Sequence, residues 1–294
     1  MAGLLDPVPQ ELAMSVDPTE RLTQIADWLY GNWYTQQPDL SVIHDSALPP
    51  PDLRSALAVV AAASRHWQRG WVVLQSDPGG ACLAGLKQVS RWLYPGQYAN
   101  IARPGLPPAP GDELSVNELI SDVDEATGFW VSQSSIATPE PPLTRLYFNV
   151  GWQDVGPVLA EVTSWLDGTA TKYSLKYPIR PDLTQRVDAL VVYLEREVCR
   201  ALEPAVTALA ERLRRHLRPS TPPLTYALAP GVGRADDPAG NSSFGQSRCN
   251  ALAPAVLDLI ETGPTMKMHA VAKLVAALAA ASIDPRRPWE VQPA

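Results

Sequence analysis

The sequence predicts an α+β protein: a mixed or antiparallel sheet with flanking helices, preceded by a helical N-terminal region. Three observations lead there. Short segments with period-two alternation, such as Trp71–Gln75, Thr144–Val150 and Lys172–Tyr177, are interleaved with segments of helical period. No regular βαβ repeat connects them, and no tandem repeat is visible. A hydrophobic fraction of 46% over 294 residues can fill one large core or two smaller ones.

The elements follow in order. Asp17-Pro-Thr-Glu20 predicts a helix start, with Asp17 as cap and Pro18 in the first turn, continuing through Leu22, Ile25, Trp28 and Leu29. Pro50 to Trp67 reads as a second, alanine-rich helix. The period then changes: Trp71–Gln75 is a strand, Cys82–Tyr94 gives one or two more, and Pro95-Gly96 ends them. After an acidic stretch, Gly128–Gln133 is another strand, and Thr138-Pro-Glu-Pro-Pro142 marks an internal boundary. Next come strand 144–150, helix 154–166, strand 172–177, strand 188–193, a long helix 197–217, a short strand 225–228, a helix from about Ser247 to Ile260 and a C-terminal helix from Val271. The division expected is a helical region over 1–69, a small α/β or β-rich subdomain over 70–142 that could bind peptide or a partner, and a core over 143–294.

Composition narrows the function classes. A formal net charge of −7 argues against non-specific nucleic-acid binding. Three scattered cysteines form neither a CxxC pattern nor a disulfide framework, and they fit a reducing cytoplasm. No basic segment precedes an apolar signal run at the N-terminus, and the apolar run after Val271 is too short to span a bilayer, so no membrane role is expected. The histidines lack metal-ligand spacing, and neither a GxGxxG nor a GxxxxGK loop occurs, so neither metal nor cofactor is expected.

What remains is a concentration of cations on strands. Strand periodicity puts Arg145, Tyr147 and Asn149 on one face, and Lys172 and Lys176 on one face of their own strand. Arg186-Val-Asp188 and the Ser243-Phe-Gly-Gln-Ser-Arg248 run add two arginines and a carboxylate that can orient a cation. Arginines converging from several strands suit phosphate. A lysine among them, its charged form disfavoured by neighbouring cations, suits abstraction of an α-proton, which makes Lys176 the candidate general base. Lys172 or Asn149 is then the candidate donor to the carbonyl oxygen on which charge develops.

The runs Arg145-Leu-Tyr-Phe-Asn149, Leu175-Lys-Tyr-Pro178, Arg186-Val-Asp-Ala-Leu-Val-Val-Tyr193, Ser243-Phe-Gly-Gln-Ser-Arg-Cys249 and Asp284-Pro-Arg-Arg-Pro-Trp289 resemble the HopA-type effector family. Members of that family occur as bacterial secreted effectors. Related proteins stand beside kinase-like enzymes in clusters that make class V lanthipeptides and thioamitides, and there they are similar to phosphothreonine lyases. The resemblance implies a phosphothreonine-lyase-like core over 143–294. It implies a cofactor-independent carbon–oxygen lyase that eliminates phosphate from phosphoserine or phosphothreonine in a ribosomal precursor peptide, leaving dehydroalanine or dehydrobutyrine. Lys176 matches the base, Arg186 and Arg248 match phosphate-binding arginines beside Arg145, and Arg234 comes from the preceding loop. Tyr147 stands where the lyases carry an acid histidine. The implied partners are a leader-bearing phosphorylated precursor and a kinase-like phosphotransferase. Two other readings stand beside it: a non-catalytic phosphopeptide-binding or kinase-docking subunit, and a secreted effector acting on a host phosphoprotein.

Overall fold

The computed structural model describes residues 17–37, 53, 57, 65–86, 89–119, 121–124, 127–134, 137–180, 183–238, 242–263 and 266–291. It opens with helix α1 (Pro18–Leu29). The Asp17 side chain accepts from the Thr19 N–H at 2.8 Å, and Pro18 occupies the first turn, where its missing donor costs nothing. A π-helical turn, Tyr30–Tyr34, follows directly.

Among the described residues, twelve strands form two antiparallel sheets. The first holds β1 (Arg65–Ser76), β2 (Cys82–Leu86), β3 (Val89–Leu93), β4 (Tyr98–Asn100) and β5 (Glu113–Leu119), in the order β3-β2-β1-β5-β4. It encloses a small core of its own from Trp71, Val73, Cys82, Ala84, Leu93, Leu114 and Val116. The second holds β6 (Ser121–Asp124), β7 (Phe129–Gln133), β8 (Leu143–Phe148), β9 (Tyr173–Pro178), β10 (Leu190–Glu195), β11 (Tyr226–Ala229) and β12 (Val232–Asp236). Its order is β11-β12-β8-β10-β9-β7-β6.

Among the described residues the further α-helices are α2 (Val155–Gly168), α3 (Arg196–Leu213), α4 (Phe244–Thr262) and α5 (Lys267–Ala280). Strand alternation sorts the large sheet's side chains between two cores. Leu146, Phe148, Leu190, Val192, Leu194, Leu175 and Tyr177 pack with apolar residues of α2 and α3. On the other face Tyr147, Val191 and Ala235 pack with residues of α1, the π-turn, α4 and α5. A sheet covered on both faces explains why β8 and β12 read as nearly continuous buried runs rather than clean alternations. The architecture is therefore the expected mixed α+β fold with antiparallel sheets and flanking helices.

Several boundaries differ from the sequence reading. The helix expected over Pro50 to Trp67 lies mostly outside the described residues; Leu53 and Leu57 are buried in the core against α2 and α3. From Arg65 onward the chain is already β1, because these residues pair with β5. Residues 1–69 are not a separate helical region as far as they are described, since α1 packs on α4. The boundary expected at Pro142 falls inside one sheet: Val131 of β7 pairs with Lys176 of β9, so β6 and β7 belong with the strands that follow the prolines. The acidic stretch supplies β5 and β6. β12, read as a loop, is a central strand. Gly233 suits it because a Cβ there would come within 2.7 Å of the Thr225 hydroxyl. Finally, α4 starts at Phe244, three residues early, because the Ser243 hydroxyl accepts from the Gln246 N–H at 3.1 Å and caps it.

α1 and α4 meet where the Tyr34 ring lies flat against Gly245. A Cβ at Gly245 would sit 2.3 Å from Tyr34 Cε1. Gly245→Ala therefore forces the ring or the helix to shift, at a cost of about 1–3 kcal/mol, readable as a lower urea midpoint with an unchanged m-value. An unchanged midpoint would show that this contact does not constrain the fold.

Candidate functional site

The register of the large sheet assembles the candidate site. Arg145 of β8 stands opposite Tyr193 of β10, which stands opposite Ser174 of β9. One row on, Tyr147 is opposite Val191, and Val191 is opposite Lys176. Arg145, Tyr147, Tyr193 and Lys176 thus share a face, the one that α1 and α4 partly cover.

Cations and rings alternate across this face. The Lys176 ammonium lies 4.9 Å from the centre of the Phe129 ring and 5.7 Å from that of Tyr193. The Arg145 guanidinium stands 5.1 Å from the same Tyr193 ring, so one phenol is flanked by two cations. Arg145 is also bound to Asp237, with Nε donating at 2.6 Å. Burial opposes the Arg145 charge, but Tyr147, Tyr193 and Asp237 around it raise its pKa overall and keep it protonated.

Behind Arg145 lies a buried phenol pair. The hydroxyls of Tyr147 and Tyr34 adjoin each other, and neither makes a hydrogen bond of regular geometry among the described residues. Burial above all raises both pKa values, with Asp188 adding to it, so both remain proton-bearing donors. Tyr34 stacks on Tyr30, with ring centres 5.6 Å apart and planes 11° from parallel. Tyr30 in turn holds Arg186: Nη2 donates to its hydroxyl at 2.6 Å, and the guanidinium stands 5.2 Å from its ring. Arg186 closes a two-point ion pair with Asp188, both bonds 2.8 Å.

Of the remaining candidates, Arg234, Lys172 and Asn149 lie elsewhere, and Arg248 stands beside Tyr34 and Tyr147. Arg234 is on the opposite face, paired with Glu203 of α3 at 2.7 Å and lying over Tyr226. Its neighbour in β8 is Leu146, which fixes that direction. Lys172 precedes β9 and sits between Glu140 and Glu195, 3.4 Å from each, at the exposed end of the strand. Arg248 is buried in α4, where Nε donates to the Pro288 carbonyl at 2.8 Å and the guanidinium covers the Phe244 ring at 4.5 Å. Burial lowers its pKa. Asn149 is fully buried beyond the end of β8. Its amide donates to Gln37 Oε1 at 3.0 Å and to the Ser220 carbonyl at 2.9 Å, while its oxygen accepts from Gln37 Nε2 at 2.7 Å. Both of its N–H groups are committed to holding the 217–220 loop and Gln37, and neither faces Lys176.

The face thus gathers Arg145, Tyr147, Lys176, Arg186 and Asp188, with Arg248 of α4 beside its phenol pair, and leaves out Arg234, Lys172 and Asn149. Sequence reasoning missed Phe129, Tyr193 and Asp237. Tyr193 could have been found, because it sits at the register position of Arg145 once β8 and β10 are paired. Asp237 carries no such signal, lying just past a strand that reads as a loop. Among the described residues no group of three or more histidine, cysteine, aspartate or glutamate side chains could hold a metal, and no helix is long and apolar enough to cross a membrane. The three thiols are buried, and burial pushes Cys199 and Cys249 up to about 12.

Residues 124–289, more than half of the chain, match the HopA1 effector protein family. The chain belongs to that family. Two solved structures are similar to parts of this chain. One is the effector protein from Pseudomonas syringae pv. syringae strain 61, at 20% identity and a TM-score of 0.41, covering 56% of this chain and 64% of that one. The other is the effector protein from Pseudomonas syringae pv. tomato strain DC3000, at 20% identity and a TM-score of 0.40, covering 55% and 62%. The chain thus spans less than two thirds of the length of either. No curated protein matches it.

Membership of an effector family overturns the expectation of a biosynthetic lyase that eliminates phosphate from a ribosomal precursor in lanthipeptide or thioamitide production. The expected partners, a leader-bearing precursor and a kinase-like phosphotransferase, are corrected with it. The structure supplies a physical counterpart: the five candidate cations besides Lys176 do not converge on one phosphate, because Arg234 points to the other side of the sheet and Lys172, Arg145 and Arg186 are already paired with carboxylates.

Two measurements check this geometry. Asn149→Ala strands the Gln37 amide and the Ser220 carbonyl and is expected to destabilise the protein by about 1–3 kcal/mol, seen as a lower denaturation midpoint. Because burial holds Cys199 and Cys249 in the protonated form at neutral and mildly alkaline pH, the native protein should react negligibly with a thiol-specific reagent at pH 8, and all three cysteines should react after unfolding. Rapid labelling of the native protein would contradict the buried placement.

Proposed function

We propose that this chain is an effector that recognises a phosphorylated segment of a host protein on the cation–aromatic face of its large sheet. The observation that carries the reading is Lys176. It is half-buried, held between the rings of Phe129 and Tyr193, and among the described residues no carboxylate lies within ion-pairing distance of it. Arg145 and Arg186 are neutralised by Asp237 and Asp188, so they frame the site instead of competing for the ligand. A partly desolvated ammonium without a carboxylate partner gains from an anion whose several acceptor oxygens can take up its three donors and whose charge offsets its own. Phosphate fits that description, and lysine meets it as a point charge.

The rings contribute the rest. Phe129 and Tyr193 are each partly exposed and offer apolar surface to the residues flanking a phosphate. Family membership supports a protein as the target, since the family is one of effector proteins.

Fluorescence anisotropy with matched phosphorylated and unphosphorylated peptide sets tests this. The phosphorylated peptides should bind more tightly, and the preference should shrink as salt rises. Lys176→Ala should weaken phosphopeptide binding about tenfold, corresponding to roughly 1.4 kcal/mol, while Lys176→Arg keeps most of it. Equal binding of both peptide sets, or a Lys176→Ala protein that binds as the wild type does, would refute the reading.

A further inference from the structure

The five-stranded sheet has a second face that its own core does not use. β1 shifts register between Gln68 and Trp71, where Gly70 takes a φ of +88°. Gln68 stands opposite Val116 and Trp71 opposite Leu114, and both partners belong to the small core. Gln68 and Trp71 therefore share the core side, as the 3.0 Å bond from Trp71 Nε1 to Gln68 Oε1 confirms. The bulge thus turns Trp67, one residue earlier, to the outer side, where Val72 and Leu74 also project.

Across the sheet the outer rows continue. Val72 is opposite Gly85, which has no side chain to fill the space above it, and Leu83 is opposite Trp92. Tyr94 lies just past the end of β3. Trp67, Val72, Leu74, Trp92 and Tyr94 are between 42% and 57% exposed. Arg91, by contrast, belongs to the inner side, with its guanidinium 4.8 Å from the Trp71 ring. Glu113, opposite Val72, and Arg69, in the bulge, border the apolar strip with charges of opposite sign.

We propose that this outer sheet face is a self-association surface on which a second copy of the chain packs. Two arguments favour a copy over another occupant. The five side chains expose roughly 500 Å², large for a patch left in water, and two copies together reach about 1,000 Å², the lower bound for a specific interface. In addition, the five side chains of the strip are uncharged, and among the described residues Arg69 and Glu113 stand at its border with opposite signs. A two-fold copy can therefore meet it apolar to apolar and set Arg69 toward Glu113, without like-charge repulsion, although the whole chain carries −7. Antiparallel sheets stack face to face in this way about 10 Å apart.

Sedimentation equilibrium of the full chain over a wide concentration range tests the proposal, beside Trp92→Lys and Leu74→Lys. Both substitutions are on the exposed face and should leave the far-UV circular dichroism unchanged. The expected result is a concentration-dependent dimer for the wild type and a monomer for each variant. Iodide quenching of tryptophan in the wild type provides a second measurement that needs no variant: Trp67 and Trp92 should become protected as the concentration rises. A wild type that stays monomeric with constant quenching, or dimers that persist in both lysine variants, would overturn the proposal.

Discussion

The cation–aromatic face depends on one contact, the Tyr34 ring against the backbone of Gly245. Tyr34 ends the π-turn that follows α1, and Gly245 opens α4, so this contact sets how close the N-terminal segment comes to the sheet. From there the order propagates through side chains. Tyr34 stacks on Tyr30, Tyr30 orients Arg186, and the Tyr34 hydroxyl meets Tyr147 beside Arg145. A larger residue at position 245 would move Tyr34 and, with it, the groups on both sides. Glycine here is required by close approach, since α4 has ordinary helical geometry at that point.

Charge compensation then decides which cations remain available. A buried arginine costs several kcal/mol unless it is paired, and each buried arginine on this face has found a carboxylate, a carbonyl or a ring. Arg145 uses Asp237, Arg186 uses Asp188, and Arg248 uses the Pro288 carbonyl to fasten the segment that follows α5. These residues are first of all structural. Lys176 differs because rings surround it. Rings reduce the cost of partial burial without satisfying the ammonium's three donors. The distinction separates a residue that builds the face from one that can meet a ligand there.

The fold was legible to the extent that local periodicity and capping determine it. Asp17-Pro18, the alternation in Thr144–Val150 and the helical period of 154–166 all speak through neighbouring residues, and the structure has elements at each. β12 was not legible, because Gly231 before it and Gly233 within it read as a loop and only pairing with β8 makes Val232–Asp236 a strand. Nor were β5 and β6, where Asp, Glu, Ser and Asn suit an exposed or half-exposed strand as readily as a loop. At the site, strand parity correctly placed Arg145 and Tyr147 together, and the same parity misled for Asn149, which lies past the last residue of β8 in a different environment. Which carboxylate neutralises which arginine is a long-range fact: Arg145 and Asp237 are 92 positions apart.

The strand crossing beneath the proline-rich segment has its own consequence for how the molecule can be divided. Phe129, one of the two rings beside Lys176, arrives on β7, ahead of the prolines at 139–142 that look like a linker. A fragment cut at those prolines would keep every arginine of the face and lose the ring. It would also strip β9 of its neighbour, leaving a row of bare N–H and C=O groups beside apolar side chains. Such an edge recruits other strands, its own copies included. Trimming the protein at the apparent linker thus replaces the four-residue edge strand β6 with the six-residue edge strand β9.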